Sequence, residues 1–539
     1  MNISRSIRRM TQLFVVLFIA LSGGLVYWQV VVAQQVTSNI HNSRHCLSDS
    51  APIRGRIFDR NGVLLADSEP STTICGYQRH YFLSKYPSLA GLIGYYISPL
   101  FSSSGIEKQY DDYLSGRIGL TALNNTVNQT LHRPPVGDDI YLTIDVRIQQ
   151  QLEYYFDHDV YPADNFYIYK TDRGSAIVSN PHTGEILAML SRPTFDPNRI
   201  AAGDLNYFKS LESNPEQPLL ERPLQSTLVP GSIYKTMTLM AALDSGKAHL
   251  NDPFDKKHAL GPITVGSGDQ TEVIGPTGNN LEPYTVNFPV TLRYGYTHSD
   301  NIIFAQVGVN TGMSTWMDYN NRFYVGKQIP FDLPVKPSTV TPLDGKPLGI
   351  NGLAENAFGQ GVDLVTPLQM TMFDNAVANN GELMQPSLIS KIVDPNGAVV
   401  YSAQQKSLGT PISDTTASQV RDAMYGVTQC GSGRFGPTAA LAPEMNTSPY
   451  AIISKTGTGQ VPPVNGKTQG ANGWVLTQAP YQNPQLTIVA MRENGGEGGS
   501  VAGPMVTDTY NYVFSKIMKI PTAPAADPNY CLSTGLLQG

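Results

Sequence analysis

The run "LFVVLFIALSGGLVYWQVVVA", residues 13–33, carries no charged side chain. A helix made from it has no polar face to offer water, whereas a bilayer core of roughly 30 Å is spanned by about 20 apolar residues. Arg5, Arg8 and Arg9 precede the run, and Tyr27, Trp28 and Gln29 lie towards its far end, where amphipathic side chains suit a membrane boundary. A cleaved signal peptide is the rival reading. Its apolar region usually covers only about 7–15 residues and ends in an A-x-A-like site, and this run is longer and shows none. The sequence therefore predicts a single-pass anchor at 13–33 in the plasma (cytoplasmic) membrane, with residues 1–12 held inside by the arginines. No later segment is long and apolar enough to span, so residues 34–539 are expected on the outer side.

A chain of 539 residues exceeds one ordinary core, so two or more folding units are expected. Charged residues make up 15%, the formal net charge is −6 and no basic block occurs, which argues against nucleic acid as a partner. Cys46, Cys75, Cys430 and Cys531 all fall on the predicted outer side, where disulfides form. Three pairings are possible, and sequence proximity favours Cys46 with Cys75, leaving Cys430 with Cys531. No C-x-x-C or Cys/His cluster suggests a metal, and no cofactor is expected.

"APIRGRIFDRNGVLLADSEP" (51–70) alternates apolar and polar residues around Asn61-Gly62 and reads as a hairpin. "SGIEKQYDDYLSG" (104–116) reads as a short helix ended by Gly116. The paired prolines of "HRPPVGDD" (132–139) mark a boundary, placed after residue 136. "YLTIDVRIQQQLEYYF" (141–156) predicts a strand and then an amphipathic helix. "GSAIVSN" and "GEILAMLSR" predict a second hairpin about "PHTG" (181–184), and three further strands are predicted at 450–458, 473–479 and 485–493. An apolar helix is expected at 504–519. If two early and three late strands share one antiparallel sheet, the largely helical middle must pack beside it.

"LVPGSIYKTMT" (228–238) places Ser232 and Lys235 one turn apart on the same helical face. A serine hydroxyl needs a base to become a nucleophile, and a lysine serves if burial or a nearby cation leaves it neutral. A helix N-terminus also favours developing negative charge. About one S-x-x-K match arises by chance in a chain this long, and Ser232 could be an ordinary N-cap. Two more motifs change the odds: Ser299-Asp300-Asn301 opens another helical run, and Lys455-Thr456-Gly457-Thr458 ends a predicted strand.

The order S-x-x-K, S-x-N, K-T-G is the signature of the penicillin-recognising serine acyltransferases. The chain resembles the class B penicillin-binding proteins, monofunctional D,D-transpeptidases of peptidoglycan synthesis. "RGRIFDRNGVLLA" (54–66), "GIEKQYDDYLSG" (105–116), "PHTGEILAMLSRPTFDPN" (181–198), "FGQGVDLVTPLQMT" (358–371) and "GGSVAGP" (498–504) look like segments of that class. The resemblance implies an α/β (α+β) chain of the penicilloyl-serine transferase fold. Its parts would be a central five-stranded antiparallel sheet flanked by helices, a small mainly β N-terminal pedestal and one transmembrane helix. The implied domains are an extracytoplasmic pedestal at 34–136, a transpeptidase domain at 137–520 and a C-terminal tail at 521–539. There is no room before residue 140 for a glycosyltransferase domain.

Carried over residue by residue, the resemblance implies that Ser232 attacks the penultimate D-Ala carbonyl of a stem peptide and Lys235 takes its proton. Ser299 would relay a proton to the leaving amine, and Asn301 would hold Lys235 and the substrate amide. Lys455 would keep Lys235 unprotonated and attract the substrate carboxylate. Thr456 and Thr458 would bind that carboxylate, and Gly457 would leave room for substrate. Backbone N–H groups of Ser232 and Thr458 would form an oxyanion hole. Implied partners are peptidoglycan stem peptides, β-lactam antibiotics, the membrane and a SEDS-type polytopic glycan polymerase that the pedestal contacts. The departures are a short N-terminal region, Asp300 inside S-x-N, no aromatic before Pro230 and no appended C-terminal module. His298 beside Ser299 reads as structural rather than as a triad base.

Three other functions compete. A β-lactamase would carry an E-x-x-L-N motif after the nucleophile; "ERPLQ" (221–225) ends in Gln225 and precedes Ser232. A β-lactam sensor needs a cytoplasmic output, and only about a dozen residues precede the anchor. A non-catalytic scaffold activating a glycan polymerase should have lost a catalytic residue, and none is missing.

Overall fold

The computed structural model describes residues 3–28, 32, 52–71, 76–97, 103–130, 134–158, 171–266, 271–274, 287–433, 445–463 and 469–536. Ile3–Val26 form helix α1, whose Leu, Val, Ile and Phe side chains are exposed along its length. Within it Ile7–Val26 are long and apolar enough to cross a membrane, and no other helix among the described residues is. The helix begins ahead of residue 13 because Arg5, Arg8 and Arg9 are good helix formers and continue the apolar turns backwards. Residues 29–31 and 33 of the expected span, and Cys46 and Cys75, lie outside the described residues.

Asn61-Gly62 turns the chain as expected. Ile57–Phe58 (β1) pairs antiparallel with Leu64–Ser71 (β2). The Asp59 carboxylate accepts from the backbone N–H groups of Asn61 and Val63, each at 2.8 Å. Gly62 adopts φ +84°, a left-handed value that a residue with a Cβ resists. Gly76–Tyr81 (β3) extends the meander, and Asp139–Leu142 (β4) runs parallel to β1. Two strands from far along the chain, Ile389–Val393 and Val399–Ser402, complete six strands beyond β4. The sheet thus takes strands from both sides of residue 136, because Ile140 and Leu142 bury their side chains in the same core as Ile57 and Leu65.

Helix Val146–His158 (α2) leads into the second sheet. Gly174–Ser179 (β5) and Ile186–Arg192 (β6) form the hairpin about residues 181–184. The middle section contributes helices Lys235–Asp244 (α3), Asn301–Thr311 (α4) and Asp414–Cys430 (α5). Then come Ile453–Gly459 (β7), Asn472–Ala479 (β8), Leu486–Arg492 (β9) and helix Gly503–Tyr512 (α6). The five strands lie in the order β7-β8-β9-β5-β6, every neighbour antiparallel. Ala176, Val178, Ile488 and Ala490 face α2 and α6, while Ile177, Met189, Leu476 and Val489 face the core around Ile233 and Met237. Successive residues point to opposite faces, so a sheet covered on both sides needs unbroken apolar strands, as "GSAIVS" and "LTIVAMR" supply. The tail is tied back by a disulfide between Cys430 and Cys531.

The N-terminal unit is held by a buried charge cluster. Glu107 has no exposed surface and meets Arg54 Nη2 at 2.8 Å and Arg79 Nε at 2.6 Å, and Arg54 also pairs with Asp111. Burial alone would raise the Glu107 carboxyl, but Arg79 and Arg54 outweigh it and hold the group below its usual range. Glu107→Gln leaves two buried guanidinium groups short of charge and is expected to destabilise the fold by about 3–5 kcal/mol. Because the folded pKa is depressed, the contribution is present above the unfolded value of about 4.3 and lost as pH falls through the folded one. Urea unfolding of the two proteins at neutral and acid pH checks both statements; equal stability at neutral pH counts against the cluster.

Candidate active site

Ser232 lies in a 3-10 turn, Gly231–Tyr234, that runs straight into α3. With three residues per turn, side chains at i and i+3 eclipse more closely than on an α-helix. Lys235 Nζ accordingly sits 2.9 Å from Ser232 Oγ. Lys235 has no exposed surface, and its amine also reaches Ser299 O and Asn301 Oδ1, both at 2.6 Å, and Ser299 Oγ at 3.2 Å. A neutral amine has two hydrogens and one lone pair. The two short contacts take the hydrogens, and the lone pair is left for the Ser232 hydroxyl proton.

The S-D-N turn is shaped to make those contacts. Ser299 takes φ +63°, a strained value for a residue with a Cβ that costs on the order of 1–3 kcal/mol. The conformation presents both its carbonyl and its hydroxyl to Lys235. It is held by backbone bonds from Ser299 N to Tyr296 O (3.2 Å) and from Asp300 N to Gly295 O (2.8 Å). Asp300 caps α4 by accepting from Ile303 N–H at 2.9 Å.

Electrostatics follow from burial. Desolvation, then the positive charge of Lys455, holds Lys235 well below the usual lysine range, against an opposing pull from Asp300. Burial brings Lys455 down to about 7 and pushes Asp300 up to about 6. Lys455, also without exposed surface, donates to Ser299 Oγ at 2.9 Å, so the two lysines meet at one hydroxyl. His298 is lowered to about 4 by burial, and its Nε2 lies 2.9 Å from Leu536 O, which fits the structural reading of this ring.

Strand β7, at the sheet edge, carries the third motif. The space beside Gly457 is not open: a Cβ there would lie 2.9 Å from both Pro230 O and Ile233 Cγ2. This glycine therefore seats the nucleophile's turn on the strand. Gly231 answers from the other side, where a Cβ would meet the Thr458 carbonyl carbon at 2.5 Å. Thr456 Oγ1 lies 2.6 Å from Ser432 Oγ, and Gln360 Nε2 donates to Thr458 O at 2.7 Å. Sequence reading missed these two neighbours: Ser432 belongs to none of the three motifs, and Gln360 stood unassigned within the resemblance segment 358–371. All eight motif residues thus converge on one cleft between α3, the S-D-N turn and β7. Among the described residues no group of three or more His, Cys, Asp or Glu side chains could hold a metal ion.

A serine beside a buried lysine, an S-x-N turn and a lysine-bearing edge strand define a lysine-assisted serine acyltransferase. Residues 174–519 match the penicillin binding protein transpeptidase domain, and residues 54–140 match the penicillin binding protein A dimerisation domain. The chain belongs to the penicillin-binding protein transpeptidase family. It is 27% identical over 514 residues to the peptidoglycan D,D-transpeptidase PbpA of Mycolicibacterium smegmatis, covering 93% of this chain and 97% of that one. It is also similar to penicillin-binding protein A from M. tuberculosis, solved as a ceftriaxone acyl-enzyme complex. The TM-score is 0.73 and the identity 26%, with 86% of this chain and 98% of that one covered. The penicillin G acyl-enzyme complex of the same M. tuberculosis protein matches with a TM-score of 0.72 at 25% identity, covering 86% of this chain and all of that one.

With Lys235 as the base for Ser232, the acylation rate is expected to rise with pH through the Lys235 titration. Cationic Lys455 lowers that titration, and Lys455→Met is expected to shift the acid limb to higher pH. Anionic Asp300 raises it, and Asp300→Asn, which keeps an acceptor for the α4 cap, is expected to shift the limb to lower pH. The check is the pH–rate profile of acylation by a fluorescent penicillin; an inflection unmoved in both variants removes Lys235 as the base.

Proposed function

We propose that this protein is a membrane-anchored peptidoglycan D,D-transpeptidase that cross-links stem peptides through a serine acyl-enzyme and is acylated by β-lactams at the same serine. The carrying observation is the buried Lys235 amine, 2.9 Å from Ser232 Oγ with both hydrogens directed to acceptors of the S-D-N turn. The name of the M. smegmatis relative supports the substrate, and the acyl-enzyme complexes of the M. tuberculosis neighbour support the intermediate.

Ser232 Oγ attacks the penultimate D-Ala carbonyl as its proton passes to Lys235 Nζ. The oxyanion is met by the Ser232 and Thr458 backbone N–H groups, a kind of contact worth about 3 kcal/mol per donor. Ser299 Oγ, in reach of both lysines, relays a proton to the departing D-Ala amine. Asn301 holds Lys235 and the substrate amide. Lys455, Thr456 and Thr458 receive the terminal carboxylate. The amine of a neighbouring stem peptide then attacks the acyl-enzyme and frees Ser232. The Glu221 carboxyl is buried against Gly91, where a Cβ would lie 2.1 Å from its Oε2, so it is placed for packing rather than for activating a deacylating water. This favours transfer over hydrolysis.

In this reading residues 1–12 are cytoplasmic, 13–33 cross the plasma membrane, 34–136 form the pedestal, 137–520 the transpeptidase domain and 521–539 the tail. The pedestal contacts a SEDS-type glycan polymerase. Fluorescent penicillin is expected to label wild-type protein at Ser232, to leave Ser232→Ala unlabelled and to persist for many minutes to hours, with negligible nitrocefin turnover. Rapid repeated nitrocefin hydrolysis by pure protein would falsify the transpeptidase assignment. External protease on spheroplasts is expected to digest nearly the whole chain; a mature N-terminus near residue 34 would instead establish a cleaved signal.

A further inference from the structure

We propose that the C-terminal segment Tyr530–Leu536 is a positioning clamp for the active site. It ties down the residue before Ser299 and the turn that meets Thr456, and it thereby sets the rate at which Ser232 is acylated. The proposal rests on the acyl-enzyme reading above.

Two ties carry it, and each ends one or two residues from the site. The first is covalent: Cys531 is bonded to Cys430, the last residue of α5. Two residues on, Ser432 Oγ lies 2.6 Å from Thr456 Oγ1 in the K-T-G strand. The second is a hydrogen bond: His298 Nε2–H donates to Leu536 O at 2.9 Å, and His298 directly precedes Ser299. Leu536 has no exposed surface, and its Cδ1 lies 3.1 Å from where a Cβ on Gly426 of α5 would sit. A larger residue at 426 would thus press on the tail's anchor. The Tyr530 ring meets Tyr425 of α5 edge-on at 4.8 Å.

The tied elements also touch each other. Gly431 passes so near the S-D-N segment that a Cβ on it would lie 2.0 Å from Thr297 O. Movement of the turn after α5 therefore displaces the backbone leading into Ser299. A left-handed serine persists only where its surroundings over-determine it, and Ser299 must keep that conformation to present its carbonyl and hydroxyl to Lys235. The tail supplies two constraints on the backbone leading into that turn, one through Gly431 at Thr297 and one directly at His298. A tail that served only to cover the surface would have no need to end on the neighbours of two site motifs.

The test measures acylation of full-length, detergent-solubilised protein by a fluorescent penicillin, separating the acylation rate constant from the dissociation constant of the non-covalent complex. Thermal unfolding is followed alongside. The variants are Cys430→Ser/Cys531→Ser, His298→Leu, which removes the donor, and His298→Gln, which keeps a side-chain N–H. Small misplacement of reacting groups lowers rate rather than binding, so the double variant and His298→Leu are expected to lose about tenfold to a hundredfold in the rate constant with the dissociation constant unchanged. His298→Gln is expected to retain most of the rate. Folded double variant and His298→Leu within twofold of wild type would overturn the clamp; if the double variant does not fold, His298→Leu against His298→Gln decides. A wild-type protein unlabelled at Ser232 removes the acyl-enzyme reading itself, whereas a labelled wild type with indifferent variants removes only the clamp.

Discussion

Lys235 is sealed from water, and burial with the nearby charge of Lys455 favours its neutral form, whose hydrogens must be satisfied. The two nearest acceptors, Ser299 O and Asn301 Oδ1, come from one short turn, so the turn must bend sharply enough to present a carbonyl and a side-chain amide together. The left-handed Ser299 is the consequence, and the Asp300 cap on α4 fixes where the turn ends. Lys455 arrives from the opposite wall at the same Ser299 hydroxyl. Once Lys235 is neutral it puts no charge on Lys455, which then answers mainly to burial and settles at about 7. One desolvated amine thus dictates the backbone of one wall and the charge state of the other.

The walls meet because three glycines remove the atoms that would keep them apart. A Cβ on Gly457 would strike Pro230 O and Ile233, one on Gly231 would strike the Thr458 carbonyl, and one on Gly359 would lie 1.8 Å from Gly231 O. The nucleophile's turn is therefore wedged between an edge strand and the loop carrying Gln360, and Gly231 N–H donates to Gly359 O at 2.9 Å. From the strand beneath, Trp474 Nε1–H donates to Val229 O at 3.0 Å. The edge position of β7 matters here: only a strand unpaired on one side can offer backbone to both the nucleophile's turn and an incoming peptide.

The catalytic sheet was legible because burial on both faces demands continuous apolar strands, which stand out from the surrounding Gly- and Pro-rich loops. The motif set was legible because order along the chain survives folding. What escaped has a common character. The 3-10 start of the nucleophile's helix differs from an α-helical start by a few degrees of backbone, and nothing in "GSIYK" encodes the choice. Ser432 meets Thr456 only through tertiary packing, and Glu107, in a segment that reads as a short helix, is buried because two arginines distant in sequence, Arg54 ahead of β1 and Arg79 in β3, neutralise it. The strand Ile389–Val393 pairs with β4 on one side and with Val399–Ser402 on the other, and the first of these is a long-range register that no local pattern reveals.

That long-range pairing changes what the N-terminal unit is. β4 lies between β1 and Ile389–Val393, so the six-stranded sheet is built jointly by the N-terminal unit and the later part of the chain. Three residues after β4 ends, α2 begins, and its Gln149 bonds to both backbone groups of Met189 in β6, with Nε2 donating to the carbonyl at 3.0 Å and Oε1 accepting from the N–H at 2.8 Å. Asp332, from the middle of the chain, accepts from Tyr110 O–H of the N-terminal unit at 3.2 Å and from Ile389 N–H at 3.0 Å. Removing β1–β3 would leave β4 with a bare edge and an exposed apolar face, so the N-terminal unit cannot be regarded as an appendage on a linker. Through β4 and α2 the N-terminal unit is connected to β6, the far edge of the catalytic sheet. Between that edge, β6, and the K-T-G strand, β7, lie three strands joined by continuous antiparallel ladders. The N-terminal unit and the K-T-G strand are therefore joined through one continuous packed interior rather than across a linker.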